Sequence, residues 1–283
     1  MRGFQIAVAG GKGGVGTTTV ATALALAVGS RFADAEFLDC DVANPEAARF
    51  LKPTIEKSTP IAVLTPVVDA DRCTGCGECQ AACQYNAIRV VLGTTKLHVD
   101  ICNGCGCCLL VCPAGAITER AEPIGTVDTG TVENLVFYRG SMNTSRPLVT
   151  ELIRGLKGMA RSDIPSVVDC GSGTTSEVIE AIRGSDYCFL VADATPVGVH
   201  DLKQMVRTVS EIGVPAGIVI NKDDDAGPET DQYASGSGLP ILMRIPFKKE
   251  IARLGCRGVT LSEVDESWDP IFWETYEKIV RTR

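Results

Sequence analysis

Short, continuous apolar runs alternate with helix-forming stretches along most of this chain, and one central segment breaks the rhythm. Gln5–Ala9, Ala35–Asp39, Leu135–Tyr138, Ser166–Asp169, Tyr187–Ala192, Ala216–Ile220 and Ile241–Ile245 have the length and apolar continuity of buried strands. Thr18–Gly29, Pro147–Ala160, Ser176–Gly184, Asp201–Ile212 and the Trp-containing tail from Asp269 read as helices between or after them. Continuous apolar strands separated by helices predict an α/β fold, a parallel sheet with helices on both faces. Ligands of such sheets gather beyond the C-terminal ends of the strands, which is where the polar motifs of this chain fall.

The segment that breaks the rhythm lies between the second and third strands. Nine of the thirteen cysteines fall between Cys73 and Cys112. Cys73, Cys76, Cys79 and Cys83 form one run, closed by Ala87-Ile88. Cys102, Cys105, Cys108 and Cys112 form a second, closed by Ala116-Ile117, with an offset of 29 residues from the first. Each run is C-x2-C-x2-C-x3-C, in which three close cysteines hold one [4Fe–4S] cube and the fourth crosses to the other. Cys73, Cys76, Cys79 and Cys112 are therefore assigned to one cluster, and Cys102, Cys105, Cys108 and Cys83 to the second. Zinc also takes C-x2-C pairs, but two complete four-cysteine runs in tandem favour clusters. Gln84 stands where a proline often follows the fourth cysteine; Pro113 keeps it in the second run. Cys107 reads as a spare thiol, and Cys40, Cys170, Cys188 and Cys256 as small buried residues. Residues 60–125 thus read as an inserted bacterial-ferredoxin-like domain within an α/β domain of residues 1–59 and 126–283, with Pro60, Pro66 and Gly125–Gly130 as linkers.

Composition narrows the partners. The chain has 283 residues, 45% hydrophobic and 22% charged, an ordinary globular balance. Its net charge of -8 argues against nucleic acid or an anionic membrane held by charge. No apolar run approaches the ~20 residues of a membrane span, so no membrane insertion is expected. Arg2 leads straight into a strand, which does not suit a signal peptide. Clustered thiols without a signal suit metal binding rather than a secreted disulfide framework, and a cytoplasmic location is expected.

The stretch "AVAGGKGGVGTTTVATALALAV", starting at Ala7, carries the second chemistry. The phosphate-loop template G-x4-G-K-[ST] fits Gly11 through Thr18, except that Thr17 replaces the lysine. Gly11, Gly13, Gly14 and Gly16 let backbone N–H groups face an anion, the following helix adds its positive end, and Thr18 is placed for Mg2+. Gly11, Lys12, Gly13, Gly14, Val15, Gly16, Thr17, Thr18 and Thr19 form the candidate nucleotide loop.

These residues resemble the deviant Walker A of the MinD/Mrp/nitrogenase-iron-protein superfamily. "KGGVG" starts at Lys12, and the resemblance implies that this lysine crosses a dimer interface to the partner's nucleotide. "LDCDVANPEA" resembles switch I, which implies Asp41 as the water-orienting aspartate and Asp39 near Mg2+. "VVDCGSGTTSEVI" resembles switch II and implies a Mg2+ role for Asp169, with Gly171-Ser172 where relatives often carry two prolines. "GVPAGIVINKDD" and "RIPF" imply Asn221, Lys222 and Pro246 around the base. "NKDD" also fits the guanine-reading N-K-x-D; the deviant Walker A favours ATP or ADP. The match covers nearly the whole chain, and the chain looks like the subgroup with an inserted two-cluster ferredoxin domain.

Losing the loop lysine removes a preorganised cation from the β/γ-phosphates, while the backbone nest and Mg2+ survive. The expectation is a nucleotide-gated electron-transfer protein with slow hydrolysis, acting as a homodimer or as a heterodimer with a related ATPase, and serving a redox partner. An iron–sulfur or metal carrier and a MinD-like positioning ATPase are the alternatives. Relatives of the carrier type hold a C-terminal C-x2-C pair, and here lone Cys256 stands in that region.

Overall fold

The computed structural model describes residues 3–143, 148–223 and 228–282. Its elements begin with β1 (Gln5–Gly10), α1 (Thr17–Gly29), β2 (Ala35–Asp39), α2 (Ala47–Leu51) and β3 (Thr54–Val68). The cysteine region follows: α3 (Glu78–Ala82), β4 (Ile88–Val91), β5 (Thr94–Leu97), α4 (Cys107–Leu110) and β6 (Ile117–Val132). Next come β7 (Leu135–Met142), α5 (Val149–Met159), β8 (Ser166–Ser172), α6 (Ser176–Ile182), β9 (Tyr187–Asp193) and α7 (Pro196–Ile212). The chain finishes with β10 (Ala216–Asp223), α8 (Pro228–Ser237), β11 (Ile241–Pro246), α9 (Lys249–Gly255), α10 (Leu261–Val264) and α11 (Trp268–Arg281). Two compact units result: residues 1–59, 127–141 and 153–283, and residues 60–126 with 142–152.

In the first unit the sheet runs in the order β11-β10-β9-β1-β8-β2-β7, with the first-unit stretches of β6 and β3 at the far edge. β1 lies parallel between β8 and β9, and β2 lies parallel between β8 and β7. Five of the six β1 residues are buried, as a central parallel strand requires. α1 is apolar on nearly every side because it is buried on nearly every side, from Val20 through Val28. α11 places Trp268, Phe272, Tyr276 and Ile279 at helical spacing into the same core. Phe37 of β2 stacks on Phe137 of β7 with ring centroids 5.8 Å apart.

The second unit repeats one pattern twice. α3 starts just after Gly77 and α4 just after Gly106, and both glycines are in the left-handed region. β4 and β5 form an antiparallel hairpin with Ile88 opposite Leu97. Cys79, Ile88 and Ile117 make its small buried core.

Two expectations need correction. Pro60, Pro66 and Gly125–Gly130 are not loop linkers: they lie inside β3 and β6, strands of 15 and 16 residues. β3 is the outermost strand, where a proline's missing N–H costs no ladder bond. α7 begins at Pro196 rather than Asp201, because Thr195 caps it by accepting from Gly198 N at 3.1 Å and proline suits the first turn. The helix expected from Pro147 is described from Val149; Pro147 itself lies outside the described residues.

Candidate functional site

The glycine loop joins the end of β1 to the start of α1, so its N–H groups and the helix N-terminus face the C-terminal edge of the sheet. Gly16, at φ 101°, is the residue before α1. A Cβ there would sit 2.2 Å from Asn221 Nδ2, which donates to Val15 O at 2.7 Å. Asn221 Oδ1 accepts from Lys222 N at 2.9 Å, and Lys222 Nζ donates to Gly14 O at 2.6 Å. The end of β10 therefore clamps the loop through two consecutive side chains, and Gly16 is what admits the clamp.

A cavity of about 560 Å³ opens beside this loop, within the range of small-molecule pockets. Gly13, Gly14, Gly16, Thr17, Thr18 and Thr19 form its loop wall, and Asn221 and Lys222, bonded to that loop, line it together with Pro246. Phe50, Phe247 and Ile251 add apolar surface that the sequence reading missed, because nothing in their local pattern marks a pocket. Asp41 also lines it. Gly11, Lys12 and Val15 do not; Val15 is buried in the core.

Three carboxylates lie in this region: Asp169 accepts from the Thr18 hydroxyl, and Asp39 and Asp41 are close enough to feel one another's charge. Asp39 and Asp169 are fully buried, and Asp39 Oδ1 and Asp169 Oδ2 have no hydrogen-bond partner. Burial raises the Asp39 carboxyl well above its ordinary range, and the charges of Asp169 and Asp41 push it the same way. Burial pushes Asp169 up to about 6, opposed by bonds from Thr18 and Gly171 N. Buried carboxylates with orphaned oxygens beside a threonine hydroxyl have the chemistry that suits a hard cation such as Mg2+. Gly171 takes φ 70°, and a Cβ on it would meet the Asp41 carboxylate at 2.8 Å. The positive φ excludes proline, whose ring fixes φ near about −65°, and with that contact leaves glycine there.

Lys12 is engaged within its own chain. Its Nζ lies 2.7 Å from Asp193 Oδ2 and 3.4 Å from Thr195 Oγ1. Burial raises the Asp193 carboxyl, but hydrogen bonds from Lys12 and Thr195 and the lysine's charge outweigh it, leaving the group below its ordinary value. Asp193 was missed in sequence because it sits at the end of an ordinary apolar strand.

Among the described residues of either unit, no three His, Cys, Asp or Glu side chains, the carboxylates near Thr18 included, converge on a point that would hold a single metal ion. The eight cysteines of the two runs instead ring two cavities. Cys73, Cys76, Cys79 and Cys112 line one; Cys83, Cys102, Cys105 and Cys108 line the other. Each cavity takes three thiols from one run and the fourth from the other. Ala87 N donates to Cys83 Sγ and Ala116 N to Cys112 Sγ, both at 3.3 Å. Four soft thiols around one hollow, with N–H donors to sulfur, suit an iron–sulfur cube. Cys107 also lines the second cavity and is exposed; Cys40, Cys170 and Cys188 are buried in the first unit as expected, but Cys256 is exposed, on the rim of the first-unit cavity.

Among known proteins, MJ0578 of Methanocaldococcus jannaschii is 26% identical over 278 residues, covering 98% of this chain and 96% of its own. MJ0579 of the same organism is 24% identical over 144 residues, half of each chain. Among solved structures, the septum site-determining protein MinD of Pyrococcus horikoshii, complexed with Mg-ADP, superposes with a TM-score of 0.59 at 16% identity, over 98% of this chain and 96% of that one. Likeness at that identity speaks for the fold. No helix among the described residues is long and apolar enough to cross a membrane. The profile of the CbiA family, the CobQ/CobB/MinD/ParA nucleotide binding domain, matches residues 6–261, so the chain, with its glycine loop clamped between β1 and β10, belongs to that family of P-loop proteins.

Proposed function

We propose that this protein binds ATP or ADP with Mg2+ in the first unit and holds two [4Fe–4S] clusters in the second, the nucleotide state governing electron transfer to or from a redox partner. The observation that carries the reading is the pair of cavities, each lined by three cysteines of one run and the fourth of the other, with Cys107 also on the second. When bound, the clusters supply one-electron redox chemistry at low potential. Cys73, Cys76, Cys79 and Cys112 would hold one, and Cys83, Cys102, Cys105 and Cys108 the other.

On the nucleotide side, Gly13, Gly14 and Gly16 offer N–H groups to phosphates, and Thr18, Asp39 and Asp169 would serve Mg2+. Asn221, Lys222 and Pro246 would border the base. Thr17 brings no charge, so binding persists while hydrolysis is slow, by about 10²–10³-fold on the analogy of deleting one preorganised donor. Lys12 would have to leave Asp193 to reach a nucleotide across a dimer interface, whether the partner is a second copy or a related ATPase.

The family match is equally compatible with a positioning ATPase of the MinD kind; the cysteine cavities weigh for redox. Anaerobic protein is assayed for iron, sulfide and Mg-ATP binding, then titrated redox-wise with and without Mg-ATP. Eight iron per chain and a nucleotide-dependent midpoint or transfer rate support the proposal. Quantitative passage of iron to an apo-acceptor would instead establish a carrier, and iron-free protein with brisk ATP turnover a positioning ATPase.

A further inference from the structure

The two cysteine cavities are lined from the same positions of the repeat. Shifting each of the twelve residues that line the first by the 29-residue repeat offset, forward or backward, yields the twelve that line the second. The packing behind them repeats too. A Cβ on Gly75 would meet Gly93 O at 2.6 Å, and one on Gly104 would meet Leu64 O at 2.9 Å, the same pair one repeat apart. Each cysteine loop is thus pressed against a strand or turn from the other half.

Seven of the twelve positions carry the same residue in both cavities: the four cysteines, one glycine, one alanine and one isoleucine. Among the five that differ, Val68 and Leu97 are both aliphatic. Thr74 and Ala114 correspond to Asn103 and Tyr85, and Asn103 Nδ2 donates to Tyr85 Oη at 3.0 Å. Glu78 and Cys107 are both exposed, so the carboxylate's field is screened by water. The fifth pair changes chemistry at sulfur. Thr95 Oγ1 lies 3.2 Å from Cys73 Sγ, and its counterpart Pro66 has neither a hydroxyl nor an N–H to donate.

We propose that Thr95 sets the reduction potential of one cluster and not the other; the proposal rests on the cluster reading given above. A ligating sulfur is a thiolate and only accepts, so the Thr95 hydroxyl must donate to it. A donor to sulfur stabilises the more negative, reduced form, and so raises the potential of the cluster held by Cys73, Cys76, Cys79 and Cys112. The β4–β5 hairpin, held against the Cys73–Cys76 loop by the Gly75–Gly93 contact, fixes the hydroxyl in place. Thr95 is a positioning residue for charge, not a ligand.

The test is a redox titration followed by electron paramagnetic resonance on anaerobic full-length protein and its Thr95→Val, Thr95→Ala and Thr95→Ser variants, each assayed for iron. Expected are eight iron in each protein, one of two waves displaced downward in Thr95→Val and Thr95→Ala by up to a tenfold change in the reduction equilibrium, and wild-type waves in Thr95→Ser. A tenfold change corresponds to about 59 mV for one electron. Waves unmoved in both deletion variants at full iron, or both waves moved equally, overturn the role of Thr95 alone. Wild type that takes up no iron overturns the cluster reading, and this proposal with it. Should Thr95→Val lose iron, Thr95→Ala decides by the same criteria; loss of iron in both assigns Thr95 to folding and overturns the proposal.

Discussion

Gly16→Ala puts the nucleotide loop to a quantitative test. The added methyl would stand 2.2 Å from Asn221 Nδ2, closer than any tolerated contact, and alanine would have to hold φ 101°. The left-handed backbone costs about 1–2 kcal/mol for an L-residue. Displacing Asn221 leaves the Val15 carbonyl and a buried amide without partners, about 1–3 kcal/mol more. The sum is about 3 kcal/mol. Gly14→Ala is the control: its φ is 75° and nothing lies within 4 Å of the new methyl, so only the backbone cost of about 1 kcal/mol remains. Chemical denaturation without nucleotide, followed by a probe in the first unit, reads both. A gap of about 2 kcal/mol between the variants is expected, by addition of those costs. Equal losses within about 0.5 kcal/mol would refute the claim that the Asn221 clamp depends on Gly16. Mg-ATP titration of Gly16→Ala should show at least tenfold weaker binding, since the clamped loop is the binding-competent one.

Four further outcomes follow from the same geometry. Thr17→Lys should raise ATP turnover by about 10²–10³-fold with little change in nucleotide affinity, measured by phosphate release. Cys107→Ser should keep eight iron per chain, whereas Cys108→Ser should lose half, measured by colorimetric iron assay. The Lys12–Asp193 pair holds the Asp193 carboxyl below its ordinary value, so its stabilisation is complete above the unfolded value near pH 4 and disappears as pH falls through the lowered folded one. Acid unfolding of Asp193→Asn should lack that slope. Glu36 behaves oppositely: burial raises its carboxyl, against bonds from Arg161 N and Tyr138 Oη, so the folded chain holds the proton more tightly. Stability should fall as pH rises from the ordinary carboxylate value through the raised one, and Glu36→Gln should flatten that dependence.

The apolar runs were enough to locate strands. Ala35–Asp39 agrees to the residue, and most others differ only at the C-terminal end, where a strand runs on into its polar motif. Strong local signals explain this: a central parallel strand must be apolar throughout, and glycine and proline punctuate its ends. β3 and β6 were missed because their alternation is weak and interrupted by proline and glycine. Those residues look like loop-formers until the pairing is known: β3 is the edge strand, where a proline costs no ladder bond, and β6 lies between it and β7.

The candidate sites divide the same way. Motif spacing named Thr18 and the eight cysteines, because metal and phosphate chemistry constrains residue type at fixed intervals; Asp39, Asp169 and Asn221 were named by the family resemblance. Sequence alone could not find Asp193 on Lys12, Asn221 on Val15 O, or Thr95 on Cys73 Sγ, which join residues 181, 206 and 22 positions apart. Covalent spacing determines which chemistry a segment can offer. Contacts between distant segments decide which groups are paired, buried or held near sulfur, and those exist only once the chain has packed.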